Sequence, residues 1–323
     1  MMSVIRMLGL ASVFYSACAC AASTLAPGTF LIEGETKPNR QPDGNSVVIV
    51  APAGLIVFDT GRHPEHARKL IDFAREQDRP IVAIINSHWH LDHVGGNPRL
   101  RAAFPAIQVY ASAAIDDARS GFLAEYRAHL ATELPQSAKS PDAQQAMRAE
   151  IALIDEGAAL GPTDVITKSA RPTIAGRALQ LNLESNAVTA GDVWVFDPKT
   201  RVLLAGDLVT LPAPFFESAC PARWRDSLAH LEKAPFELLV PGHGAPMHRS
   251  QFATYRKAFS DLLDCAAGSG EKNACIDGWL SDASALLISS EDASYARALI
   301  GYYLENYLRN PSERVRAFCG RSP

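Results

Sequence analysis

The chain has 323 residues, 47% of them hydrophobic and 20% charged, and carries a formal net charge of −4. That composition excludes a disordered, collagen-like or coiled-coil protein. No basic stripe suggests a nucleic-acid partner, and no apolar run reaches the roughly 18 residues of a membrane span.

Residues 1–22 place Arg6 ahead of an apolar stretch, Met7 to Tyr15, and finish in the small residues Ser16 to Ala22. This is the pattern of a secretory signal, so the mature protein is expected to be periplasmic or secreted. Cys18 and Cys20 leave with that segment; neither has the leucine three residues earlier that lipid anchoring favours. Cys220, Cys265, Cys275 and Cys319 remain. An even count in an oxidising compartment predicts two disulfides. The loop-like stretch between Cys265 and Cys275 favours Cys265–Cys275 with Cys220–Cys319, and four buried free thiols are the alternative.

Asn45–Ala51 and Gly54–Asp59 are apolar and β-branched and read as a hairpin through Pro52-Ala53. Pro64 stands where a helix starts, and Glu65–Gln77 has helical composition. Ile81–Ile85 is a short buried strand, residues 88–96 a loop, Asn97-Pro98 the start of a helix to Phe104, and Ile107–Ala111 a further strand. From Ser112 to about Gly157 the chain is alanine-rich and helical, interrupted near Pro135 and Pro141. Strands return at Asp164–Thr167, Ala178–Leu183, Val193–Phe196 and Val202–Ala205. Trp224–Ala234 is expected to be a helix, Leu238–Val240 a strand, and everything after Ser250 helices and loops. Trp224 reads as a core residue of its helix rather than a substrate contact.

The densest chemistry is His88-Trp89-His90-Leu91-Asp92-His93, which holds four residues of metal-ligating type within six positions. Neutral imidazole and carboxylate suit zinc, and Gly95-Gly96 lets the backbone turn sharply behind them. Two buried-strand runs end the same way. Val202–Ala205 leads into Gly206-Asp207, and Leu238–Val240 into Pro241-Gly242-His243-Gly244. Each puts one ligand-type residue in a glycine-containing loop just past a strand, where α/β layers build sites. His63, His66, His129, His230 and His248 are expected on solvated or packing faces, with a pocket-rim role open to His63 and His66.

Together with Asp59-Thr60-Gly61 at an early strand end, these motifs resemble the metallo-β-lactamase superfamily over roughly residues 28–249. The resemblance implies an α/β fold, the αββα four-layer sandwich, with metals at one edge between the sheets. The implied domains are a signal peptide at 1–22, the metallo-β-lactamase-like domain at 23–249 and a helical extension at 250–323. It further implies that His88 and His90 help hold a first zinc. Asp92, His93 and His243 would hold a second, and Asp207 would bridge the two. The family's third histidine belongs in the segment Ala187-Val188-Thr189-Ala190-Gly191-Asp192, and Val188 stands at its position. Valine cannot ligate metal, and Glu184, Ser185 or Asn186 would reach only through a local shift or a water. One firmly bound Zn2+ and a weak or absent second are therefore expected. Weaker motifs resemble the exported quinoprotein relay zinc metallohydrolases and the lactamase-like SoxH group.

The implied activity is a hydrolase in which zinc acidifies a water and the hydroxide attacks a small-molecule amide, lactam, lactone or ester. Asp92 and Asp207 are its candidate catalytic carboxylates. A degenerate, non-catalytic metal-binding protein is the alternative, motivated by Val188. The same valine counts against an iron persulfide dioxygenase and a glyoxalase II type thioesterase, which use the third histidine. Substrate, oligomeric state and the role of the tail stay open.

Overall fold

The structure is a computed structural model describing residues 22–36, 40–136 and 140–320. The expected signal segment, with Cys18 and Cys20, lies outside the described residues apart from Ala22. A seven-stranded sheet runs in chain order through β1 (Ala22–Ala26), β2 (Thr29–Ile32), β3 (Ser46–Ala51), β4 (Gly54–Phe58), β5 (Ile81–Ile85), β6 (Gln108–Ala111) and β7 (Asp164–Val165). A small hairpin follows, β8 (Thr173–Ile174) with β9 (Arg177–Ala178). The second sheet has five strands: β10 (Gln180–Glu184), β11 (Asp192–Asp197), β12 (Val202–Thr210), β13 (Leu238–His243) and β14 (Met247–His248). The helices are α1 (Pro64–Glu76), α2 (Leu91–Val94), α3 (Asn97–Ala103), α4 (Ala114–Ser120), α5 (Phe122–Glu133), α6 (Pro141–Asp155), α7 (Pro221–Lys233), α8 (Arg249–Ala267), α9 (Lys272–Asp282), α10 (Ser290–Tyr303) and α11 (Glu313–Cys319).

Strand periodicity makes the layers, because successive side chains leave opposite faces. On β3 and β4, Val47, Ile49, Ile56 and Phe58 face inward and meet Val193, Val195, Val202, Leu204 and Val240 of the second sheet. The alternate residues Val48, Leu55 and Val57 pack outward on Leu70 and Phe73 of α1 and Leu100 of α3. Leu203 and Ala205 of β12 likewise face outward onto a core shared by Trp224 and Leu228 of α7, Phe259 of α8, Trp279 of α9 and Tyr303 of α10. The result is the expected αββα sandwich. Helices α8, α9 and α10 share that outer core with α7. Trp224 is fully buried, its indole N–H donating to the Leu208 carbonyl at 2.9 Å. Both expected cysteine pairs stand at disulfide distance, with Cα atoms 5.4 Å apart for Cys220–Cys319 and 5.6 Å for Cys265–Cys275.

Two local expectations need correcting. Residues 88–96 are not loop throughout: His90 precedes the single turn of α2, whose amides at His93 and Val94 donate to the His90 carbonyl. Asp207 and His243 do not follow their strands but belong to them. Parallel pairing of β12 with β13 continues as far as Thr210 and His243, with the register broken at Gly206. Gly206 takes φ +54°, and a side chain there would also collide with Ser87, so only glycine makes this kink beneath Asp207 cheaply.

Candidate metal centre

The motif residues come from four places along one edge of the sandwich and meet between the sheets. β5 ends just before Asn86-Ser87-His88, and the turn of α2 carries Asp92 and His93. The second sheet supplies Asp207 from β12 and His243 from β13. Their donor atoms form two triads, each with its atoms within 4.8 Å of one another: His88, His90 and Asp207, then Asp92, His93 and His243. All six sequence-predicted ligands are thus brought together. Asp207 faces both groups, its Oδ2 lying 3.7 Å from His88 Nε2 and its Oδ1 3.2 Å from His93 Nε2 and 3.6 Å from His243 Nε2.

The second triad is the better supported. The Asp59 carboxylate sits behind it, accepting from the Ser87 amide and hydroxyl at 2.7 Å each and meeting His93 Nδ1 at 2.8 Å. That contact leaves His93 Nε2 pointing at the other ligands and fixes the ring, as a carboxylate behind a ligating histidine does. Asp92 Oδ1 lies 3.5 Å from the Arg62 guanidinium, which also pairs with Glu150, and its Oδ2 is 3.0 Å from His243 Nε2. Asn45 ties in the β13 end, donating to the carbonyls of Pro241 at 3.0 Å and Gly244 at 2.9 Å.

The first triad is built differently. Ser87 Oγ holds His88 Nδ1 at 2.9 Å, turning His88 Nε2 inward. The Val188 loop keeps its frame, since the Thr189 amide and hydroxyl both bond Asp192, at 3.0 and 2.9 Å. Val188 itself is fully buried in the outer core. The neighbour Glu184 is committed elsewhere, accepting from Trp194 Nε1 at 3.0 Å and Ser227 Oγ at 3.1 Å. What reaches His90 is a residue the sequence reading missed. Ser218 Oγ lies 2.8 Å from His90 Nε2 and donates to the Val188 carbonyl at 3.0 Å. No spacing rule links Ser218 to His90, 128 positions away.

The charges call for a cation. Burial works against ionisation at Asp207, yet His93 and His243 outweigh it and hold the carboxyl well below its usual range. Burial likewise opposes the charge on Asp92, but His93, His243 and Arg62 keep that carboxyl low. At His93 burial is again overcome, by Asp207, Asp59 and Asp92, which raise it well above an ordinary imidazole. Burial lowers His88, and lowers His90 to about 4. Without a metal, protons on histidine must balance the carboxylates; a metal ion would displace them. Among the buried side-chain atoms that lack a hydrogen-bond partner, four converge on this centre: His88 Nε2, His93 Nε2, Asp207 Oδ1 and His243 Nε2. Buried polar atoms are seldom left so, and imidazole with carboxylate is a zinc-type donor set.

Of the remaining histidines, His129 is exposed on α5 and four others make contacts away from the centre. His66 is buried against Ser46 Oγ at 2.8 Å, and His63 bonds Asp43 at 2.9 Å. His230 meets Glu184 and His248 opens α8. Arg62 and Glu150, 88 positions apart, were also missed, because only the fold brings them together.

A profile of the metallo-beta-lactamase superfamily matches residues 40–243. The linear primary-alkylsulfatase of Pseudomonas sp. (strain ATCC 19151) is 29% identical over 224 residues, which is 62% of this chain and 41% of that protein. A hydroxyacylglutathione hydrolase from Gloeobacter violaceus is 47% identical over a shorter stretch of 49 residues, 15% of this chain and 19% of its own. The chain therefore spans well under two thirds of either relative. Among solved structures, the metallo-beta-lactamase from Pontibacter korlensis superposes with a TM-score of 0.54 at 18% identity, covering 74% of this chain and 98% of that one.

Proposed function

The chain belongs to the metallo-β-lactamase superfamily, and from that premise we propose that it is an exported, zinc-dependent hydrolase of a small molecule, attacking a carbonyl bond of the amide, lactam, lactone or ester kind. The observation that carries this reading is the convergence of His88 Nε2, His93 Nε2, Asp207 Oδ1 and His243 Nε2, four buried atoms without hydrogen-bond partners. Asp92, His93 and His243, with Asp207 Oδ1 alongside, meet the ligand count of a catalytic zinc site on their own. His88 and His90 have only a share of Asp207, so the second ion is weak or absent.

Zinc held there would acidify a water and polarise the substrate oxygen. The side chains do the rest. Asp59 fixes the His93 tautomer. Arg62 holds Asp92 Oδ1, which leaves Oδ2 on the ligand side. Asp92 and Asp207 orient the attacking water, and the less tightly held of the two receives its proton. The disulfide-distance cysteine pairs and the signal-like residues 1–22 support export. Among the described residues no helix is long and apolar enough to cross a membrane. Within this reading residues 23–249 are the catalytic domain and 250–323 an extension.

A second reading is sulfate-ester hydrolysis, favoured by the likeness to the alkylsulfatase over 62% of the chain. Zinc content of the purified mature protein, measured beside turnover of nitrocefin, a lactone, a 4-nitrophenyl ester, a hydroxyacylglutathione thioester and an alkyl sulfate, tests both. Turnover of a carbonyl substrate supports the proposal, and turnover of the alkyl sulfate alone replaces it with the second reading. Tight zinc with no turnover of any would favour a non-catalytic binding protein.

A further inference from the structure

A cavity of about 440 Å³ opens beside the first triad, and two of its lining residues touch His90. Ser218 lines it and holds His90 Nε2 at 2.8 Å. Trp89 lines it with its ring edge-on to His90, the centroids 4.5 Å apart, and packs on Phe122 at 5.2 Å. The facing wall is Val315 and Phe318 of α11, the last helix described. Cys319 pairs with Cys220, two positions beyond Ser218, so this staple fixes α11 against the segment carrying Ser218. The surface is mainly apolar, with small residues such as Ala118 and Gly121 leaving room. Its charged lining residues among those described are Asp117 and Glu217, both acidic. Glu217 makes no hydrogen bond or ion pair among the described residues, and partial burial pushes its carboxyl above the usual range.

We propose that this cavity is the pocket for the part of the substrate that is not cleaved, and that it takes an apolar group that is uncharged or cationic and rejects an anionic one. The inference rests on the hydrolase reading for the word substrate, but not for the binding itself. Apolar walls with few polar groups are what small-molecule pockets present. An anion brought into the pocket would meet two carboxylates and no cation among its described lining residues, whereas a cation would be attracted there.

The test uses three probes with one tail: hexyltrimethylammonium, 1-hexanol and hexanesulfonate. Each is titrated calorimetrically into the full chain as purified, and again after chelation, with circular dichroism checking that the fold persists. The cation and the alcohol should bind with or without metal, and the sulfonate about tenfold or more weaker in the stripped protein. Glu217→Gln should reduce the preference for the cation over the alcohol while leaving alcohol binding intact. Ala118→Trp should abolish binding of all three without changing zinc content. Should that variant misfold, Phe318→Ala provides the second case, with weakened binding of every probe. Equal binding of the three probes, no binding of any, or indifference to both Ala118→Trp and Phe318→Ala would overturn the proposal. Failure of the hydrolase reading would show separately, as absent turnover with probe binding retained.

Discussion

The two triads share Asp207 and the space between the sheets, but differ in what stands behind them. Behind Asp92, His93 and His243 are a buried carboxylate, Asp59, a buried guanidinium, Arg62, and backbone ties through Asn45. Behind His88 and His90 stand two hydroxyls, Ser87 and Ser218. A carboxylate behind an imidazole strengthens it as a ligand more than a neutral hydroxyl does. The two groups, three ligand-type residues apiece, are therefore unequally supported, which their number alone does not reveal.

That inequality can be broken from its strong side first. Asp92→Ala and His243→Ala each leave the second triad short of a ligand and should abolish tight zinc binding and activity, measured by metal analysis and turnover. Asp59→Asn keeps the ligands but removes the charge behind His93, and should weaken zinc by about 10–100-fold in a competition titration with a chelator. His88→Ala should cost less than either, with the tight zinc retained. Equal loss of zinc from Asp92→Ala, His243→Ala and His88→Ala would mean that the two triads act as a unit. Ser218→Ala should have the smallest effect. It removes the hydrogen bond that orients the His90 ring, of the order of 1 kcal/mol, and should leave the tight zinc in place.

The parts legible in the sequence were those governed by local rules. The uniform apolar run Ile81–Ile85 is a strand with the expected bounds. Pro64 opens α1 because proline suits a first helical turn. All six proposed ligands meet on one edge of the sandwich: His88 and His90 follow β5, Asp92 and His93 sit in the turn of α2, Asp207 follows the Gly206 kink of β12 and His243 ends β13. β1 and β2 escaped notice, being short and mixed in polarity, and so did the turn of α2 inside the histidine motif. Arg62, Glu150 and Ser218 carry no motif of their own. They acquire their roles through contacts across 30 to 128 positions that pattern reading does not reach. That a serine hydroxyl bridges the Val188 carbonyl to His90 was not legible in the sequence.

The central claim is one firm metal site beside one incomplete one, and zinc stoichiometry tests it most directly. The full chain in modest zinc at neutral pH should hold about one tightly bound zinc, since only one triad reaches three or four protein ligands with Asp207. Val188→His, read beside it with a stability measurement because the buried site could cost about 1–3 kcal/mol to overfill, should move the count toward two. A wild-type chain that already holds two zincs tightly would contradict the account, as would a well-folded Val188→His protein that still binds one.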